Sequence, residues 1–187
     1  MSITASYDRS AINSRGGSTH KASGRDATGA ALSSPDTVHD WGEVKDSSFK
    51  DKTPLTALYN EANEKVATEQ GNRETGIMCT LMQRDKDVID SIRNGVRDSY
   101  HICMHELGRN VRGKVQRMFA FGQFDPDVEF KLPGGEIPLN FQGEILRVNA
   151  VSLTPGELSS WVGNTTALTA TVTIALGDWC VIVETNT

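Results

Sequence analysis

Hydrophobic positions are sparse and without period over the first fifty residues. Ile3, Ile12, Leu32 and Val38 stand alone among Ser, Thr, Gly, Asp and Arg. Fixing one residue's backbone costs about 1–2 kcal/mol. A stretch that buries so little does not recover that cost, so a disordered N-terminal arm is predicted over 1–50. Trp41, Val44 and Phe49 form a thin apolar cluster near its end. It is either a linker patch or a short docking motif, and the second alternative makes these three the candidate self-association residues.

Beyond residue 50 the pattern tightens, and a single domain is predicted over 51–187. Thr53-Pro54 suits a helix start, with a capping side chain followed by a proline at the first helical position. Leu55, Leu58, Tyr59, Ala62 and Val66 then share a helical face. Ile77, Cys79 and Leu81 alternate with Met78, Thr80 and Met82, as expected of a strand buried on both faces. Asp85-Lys86-Asp87 can open a second helix, with Val88, Ile89, Ile92 and Val96 as its stripe. Tyr100, Cys103, Met104, Leu107, Val111, Val115, Met118 and Phe119 recur at helical spacing up to a stop at Gly122. Gly108 and Gly113 predict a kink or break within it.

After Gly122 the period falls to two. Val128, Phe130 and Leu132 alternate with charges, and Pro133-Gly134-Gly135 makes a turn. Ile137, Leu139 and Phe141 continue the alternation, with Pro138 pointing to an edge strand. A further strand is predicted over 144–151. Thr154-Pro155-Gly156 breaks the chain, and Glu157, Leu158 and Trp161 suggest one helical turn. The alternation of Leu168, Ala170, Val172, Ile174 and Leu176, the Gly177-Asp178 pair and the run from Trp179 predict a terminal hairpin over 166–184. The implied class is α+β, with helices packed on an antiparallel β meander behind the disordered N-terminal arm.

Composition agrees with a partly core-free chain. Of its 187 residues 37% are hydrophobic, below the usual level of about 45–50% for globular domains. The net charge of -5 is unevenly spread, since the cations gather at 85–124 and the last third is acidic. Cys79, Cys103 and Cys180 are odd in number and match neither a zinc site nor a redox pair, so buried reduced thiols are expected. No secretory leader, membrane-spanning run or lipidation motif is legible, so any membrane contact is expected to be peripheral.

Candidate chemistry is thin. His101 and His105 are four apart and would share a helical face. The spacing fits a metal pair, but no third ligand cluster follows, and structural histidines are the simpler reading. Asp125, Asp127 and Glu129 lack a calcium loop. There is no nucleophile elbow and no phosphate loop, so neither catalysis nor a cofactor nor a small-molecule substrate is expected. The stretch Gly108–Arg117 is more informative: Arg109, Arg112, Lys114 and Arg117 are four cations with no acid among them. On a helix Arg109, Arg112 and Arg117 would lie near one face, opposite Val111, Val115 and Met118. That face is either ordinary solvated surface or a contact for phosphates of lipid or nucleoprotein. The acidic last third could instead meet the basic stretch of another copy, head to tail.

The run Arg112-Gly113-Lys114-Val115-Gln116-Arg117-Met118-Phe119-Ala120-Phe121-Gly122 and the threonine-rich alternation from Thr165 to Leu176 resemble rhabdovirus matrix proteins. The similarity extends over roughly 75–185 and rests on element order and texture. It suits a plant-infecting, cytorhabdovirus-like relative, because the arm has no late-budding motif. The resemblance implies a viral matrix protein, found in the virion and the host cytoplasm as a peripheral membrane protein. Such a protein would self-associate and bridge the viral nucleoprotein complex to an anionic membrane surface. Arg109, Arg112, Lys114 and Arg117 would then be the membrane or nucleocapsid contact. The alternatives are another virion component, of capsid or connector type, or a cellular non-enzymatic binding module.

Overall fold

A computed structural model describes residues 18–32, 38–82, 89–90, 92–93, 100–109, 112, 114–125, 136–162 and 170–185. Strands dominate it. They are β1 (Ser18–Arg25), β2 (His39–Lys52), β3 (Leu55–Tyr59), β4 (Lys65–Gln70), β5 (Glu74–Leu81), β6 (Tyr100–Arg109), β7 (Val115–Phe124), β8 (Ile137–Gly143), β9 (Val151–Leu153), β10 (Val172–Ile174) and β11 (Cys180–Thr185). One short helix, α1 (Pro155–Val162), lies between β9 and β10.

Seven strands form one antiparallel sheet in the order β11-β7-β6-β1-β2-β5-β8. An additional β7–β8 pairing closes six of them into a barrel, which removes most of the free edges. β7 shares one edge between two partners. Val115–Ala120 pair with β11, and Gly122–Phe124 pair with β8. The interior holds Trp41, Ile77, Leu81, Cys103, Ala120, Phe124, Leu139, Phe141 and Trp179. Phe124 packs obliquely on both Trp41 and Phe141, with ring centroids 4.9 Å apart in each pair. Fully burying a large apolar side chain stabilises the fold by about 1.5–3 kcal/mol. Ile92, among the helical residues near 92, is fully buried against this interior.

A second layer covers the outer face of β6 and β7. Ile102, Met104, Phe119 and Phe121 pack there against Leu146, Val151, Leu153, Leu158, Trp161, Val172 and Ile174. α1 holds its place through a capping box. The Thr154 backbone N–H donates to Glu157 Oε2 at 2.7 Å, and Pro155 opens the helix.

The expected class, helices packed on an antiparallel β meander, is therefore corrected to a closed antiparallel barrel, in which the described helical residues are α1 and those at 89–90 and 92–93. The helix expected from Leu55 is the β3–β4 hairpin, which turns at Asn60–Glu64. Asn63 takes up the left-handed conformation there, with φ 61°, a place where asparagine is tolerated. The helix expected over 100–121 is the β6–β7 hairpin. Both faces of these strands are buried, one by the barrel interior and one by the second layer. Such runs lose the period of two and imitate a helical stripe. Gly122 is not a helix stop; it lies within β7. The terminal hairpin also differs. The turn at Gly177 is present, but β10 pairs with β9 and β11 with β7, so the two strands diverge into different sheets.

β1 and β2 lie inside the segment expected as an arm, and the boundary expected at residue 50 falls within β2. Bulges between His20 and Lys21 and between Val44 and Asp46 interrupt their alternation. These interruptions remove the pattern by which strands are read. Residues 1–17, the rest of that arm, lie outside the described residues, as do the strand expected over 128–132 and most of the helix expected from Val88.

Candidate functional site

The β2–β5 ladder does not end at the barrel rim. Asp51 pairs with Thr75 and Lys52 with Glu74. The Gly71 N–H donates to the Pro54 carbonyl at 2.8 Å, and the pairing resumes at Leu55 and Gln70. The β3–β4 hairpin is thus an extension of the barrel wall. A strand rises about 3.3 Å per residue, so it reaches roughly 20 Å past the rim. Nearly every residue in it is exposed. Leu55 is 69% exposed, Val66 62%, Tyr59 59% and Leu58 42%. Three glutamates, Glu61, Glu64 and Glu69, stand against the single Lys65.

The base of this extension is clasped to the barrel mouth. Arg73 donates to both carboxylate oxygens of Asp51, at 2.7 Å each. The Trp179 indole N–H donates to the same carboxylate at 3.2 Å. The Arg73 hydrogen bonds, with a further contribution from Trp179, hold the Asp51 pKa below its ordinary value. Phe49 stacks on Trp179, with centroids 5.4 Å apart and ring planes 12° apart. Trp179 itself is fully buried and fills the space over Gly143.

The four cations singled out in the sequence lie at the β6–β7 hairpin rather than on a helix. Arg109 ends β6, Arg112 and Lys114 belong to the connection, and Arg117 is in β7. Arg112 is exposed and Lys114 half-buried. Arg117 is cross-strand from Glu106 and forms an ion pair with it at 3.3 Å. Trp41 and Val44 are buried in the barrel interior, and Phe49 belongs to the clasp just described.

His101 and His105 also lie on β6, and their common face is the barrel interior. His101 meets the edge of Phe124 at 5.2 Å. His105 Nε2 shares a 2.8 Å hydrogen bond with Ser47 Oγ. Burial pushes the His105 pKa down to about 4. Burial likewise raises the Cys79 thiol to about 12 and the Cys103 thiol well above its usual value. These thiols are protonated, and poor nucleophiles, at neutral pH. No group of three metal-ligating side chains occurs among the described residues. An open groove of about 440 Å³ runs over the outside of β2, β5 and β8, past Ser48, Met78, Thr80, Pro138 and Asn140.

No family model matches this chain, and no curated protein shows significant similarity to it. Among the described residues, no helix is long and apolar enough to cross a membrane. Among the described residues, the surface that departs most from ordinary solvated protein is the β3–β4 extension. Sequence reasoning missed it as a site because its apolar residues fit a helical stripe. Asn60 and Asn63, two turn-forming residues inside that stripe, were the signal for a hairpin.

Proposed function

We propose that this chain is a structural subunit that works by assembling with copies of itself, with the β3–β4 hairpin as its contact element. One observation carries this: a two-stranded extension displays Leu55, Leu58, Tyr59 and Val66 to solvent and has no core of its own. An isolated hairpin of this kind is marginal in water. Strand alternation puts Leu55 and Tyr59 on one face of β3 and Leu58 on the other, and exposed apolar faces on a hairpin without a core mark an interaction site. Covering it with another subunit removes both costs.

The role belongs to the kind filled by virion structural proteins. Capsid or connector subunits suit it better than a matrix protein. The matrix resemblance leaned on a basic helix, and those cations sit on a β-hairpin where Arg117 is engaged by Glu106. No catalytic step, cofactor or small-molecule substrate enters this proposal.

Sedimentation velocity on the full chain tests it. The wild type is expected to form assemblies of increasing size with concentration, without lipid or nucleoprotein. The triple variant Leu55→Ser, Tyr59→Ser, Val66→Ser should remain monomeric with unchanged circular dichroism. A wild type that stays monomeric throughout overturns the proposal. Assembly only on anionic vesicles or nucleoprotein returns the matrix role.

A further inference from the structure

The register of the strands fixes where the two polar hairpins leave the barrel. Ser18 pairs with Val44 and Ala22 with His39, while His20 pairs with His105 and Arg25 with Tyr100. The C-terminal ends of β2 and β6 therefore point the same way. The β3–β4 extension and the β6–β7 connection leave from the same end of the barrel. Their positions around the wall differ. In the closed order β7-β6-β1-β2-β5-β8, only β1 separates the two hairpins on one side and only β8 on the other. They leave the same end on opposite sides of the wall, and the β3–β4 extension starts several residues further along its strand than the β6–β7 connection does.

Their charges are opposite too. The extension carries Glu61, Glu64 and Glu69 against Lys65. From 106 to 117 the β6–β7 hairpin carries Arg109, Arg112, Lys114 and Arg117 against Glu106, and β11 beside it adds Glu184, which leaves this side net basic. Each side also has apolar surface to cover. Leu107 on β6 is 42% exposed, and Ile182 on the neighbouring β11 is 51% exposed.

Resting on the self-association reading above, we propose that the contact is head to tail. The acidic, apolar extension of one copy docks on the basic β6–β7 hairpin and β11 of the next. A contact between two different surfaces on opposite sides of the barrel is not closed by a two-fold axis and repeats from copy to copy. It builds a ring or a continuing row, whereas a two-fold contact stops at a dimer. Complementary charge sets the register and the partner orientation.

Charge reversal tests the direction of the contact. The variants are Glu61→Lys with Glu69→Lys on the extension, and Arg112→Glu with Lys114→Glu on the hairpin. Glu64 is left alone because its carboxylate accepts a hydrogen bond from the Asn60 side-chain amide in the turn, at 3.2 Å. Each double variant alone should raise the assembly midpoint concentration by at least about tenfold. Mixing the two, or combining all four changes in one chain, should restore assembly. If both double variants assemble like wild type while the serine variant above does not, the extension still mediates assembly but the head-to-tail pairing is wrong. If the hairpin-reversed variant assembles like wild type while the extension-reversed one does not, and mixing restores nothing, a contact between extensions replaces it.

Discussion

Gly122 of β7 lies directly across from Gly143 of β8, at the seam where the sheet closes on itself. A Cβ on Gly122 would lie 2.0 Å from the Gln142 carbonyl oxygen, and one on Gly143 would lie 2.1 Å from the Trp179 ring. The seam is closed by only three residue pairs, and the absence of side chains allows that approach. Gly122→Ala is expected to destabilise the protein by at least about 2–3 kcal/mol, since backbone must move. Gly108→Ala meets no atom within 4 Å, and its cost is confined to a φ of 99°, about 1–2 kcal/mol. Urea denaturation midpoints of the two variants check the order; equal midpoints would show that the seam is not tightly closed.

Part of this architecture was legible before any coordinates. β5 and β8 are strands as expected, although β5 is buried on one face only, since Met78 is 59% exposed, and the helical turn expected from Glu157, Leu158 and Trp161 is α1. The barrel was not legible, for physical reasons. Ala22, Cys103 and Ala120 are small residues brought level by the ladder, and their role as a narrow interior belt exists only once the sheet has closed. The bulges in β1 and β2 hide the period of two. In β6 and β7, inward His101, Cys103 and His105 alternate with Ile102 and Met104, which the second layer buries. Tertiary burial of both faces erased the contrast that the reading relied on. The cations of 109–117 lie on a β-hairpin and not on the helix expected to carry them.

His105 supplies a pH dependence with a defined sign. Burial lowers its pKa from 6.5 to about 4. The unfolded chain therefore takes up a proton that the folded chain refuses. Stability is full above about pH 6.5 and falls as pH drops toward 4, by about 3 kcal/mol in total. The variant His105→Asn should lose most of that slope while keeping a partner for Ser47. Unfolding midpoints measured between pH 7 and pH 4 distinguish the two, and parallel slopes would place the acid sensitivity elsewhere.

The three thiols should react in an order set by burial. Cys103 is fully buried, Cys79 is 5% exposed, and Cys180 is the most accessible. The Cys180 pKa is raised to about 11, by burial first and then by the nearby carboxylates of Asp51 and Asp178. Iodoacetamide at pH 8 should modify Cys180 slowly, and Cys79 and Cys103 only after unfolding in denaturant. Mass spectrometry of the modified chain reads this directly. Rapid modification of Cys103 in the native protein would mean that the barrel opens.

The clasp of Asp51, Arg73 and Trp179 joins the exposed extension to the buried mouth, so breaking it should affect order more than stability. Asp51 has a lowered pKa, and its contribution is present above its ordinary value of 3.8 and lost as pH falls through the depressed one. The ion pair is partly solvated, with side-chain exposures of 34% for Arg73 and 24% for Asp51. Its removal by Arg73→Ala is expected to cost only about 1 kcal/mol. The larger effect should appear in hydrogen exchange. Amides of β3 and β4 should lose protection in the variant, because the hairpin has no core beyond its base, while β6 and β7 amides keep theirs. If subunits assemble through this extension, Arg73→Ala should also weaken assembly without touching any residue of the contact, because docking must then order a looser hairpin. Unchanged β3–β4 protection in Arg73→Ala would show that the turn at Asn60–Glu64 holds the hairpin by itself.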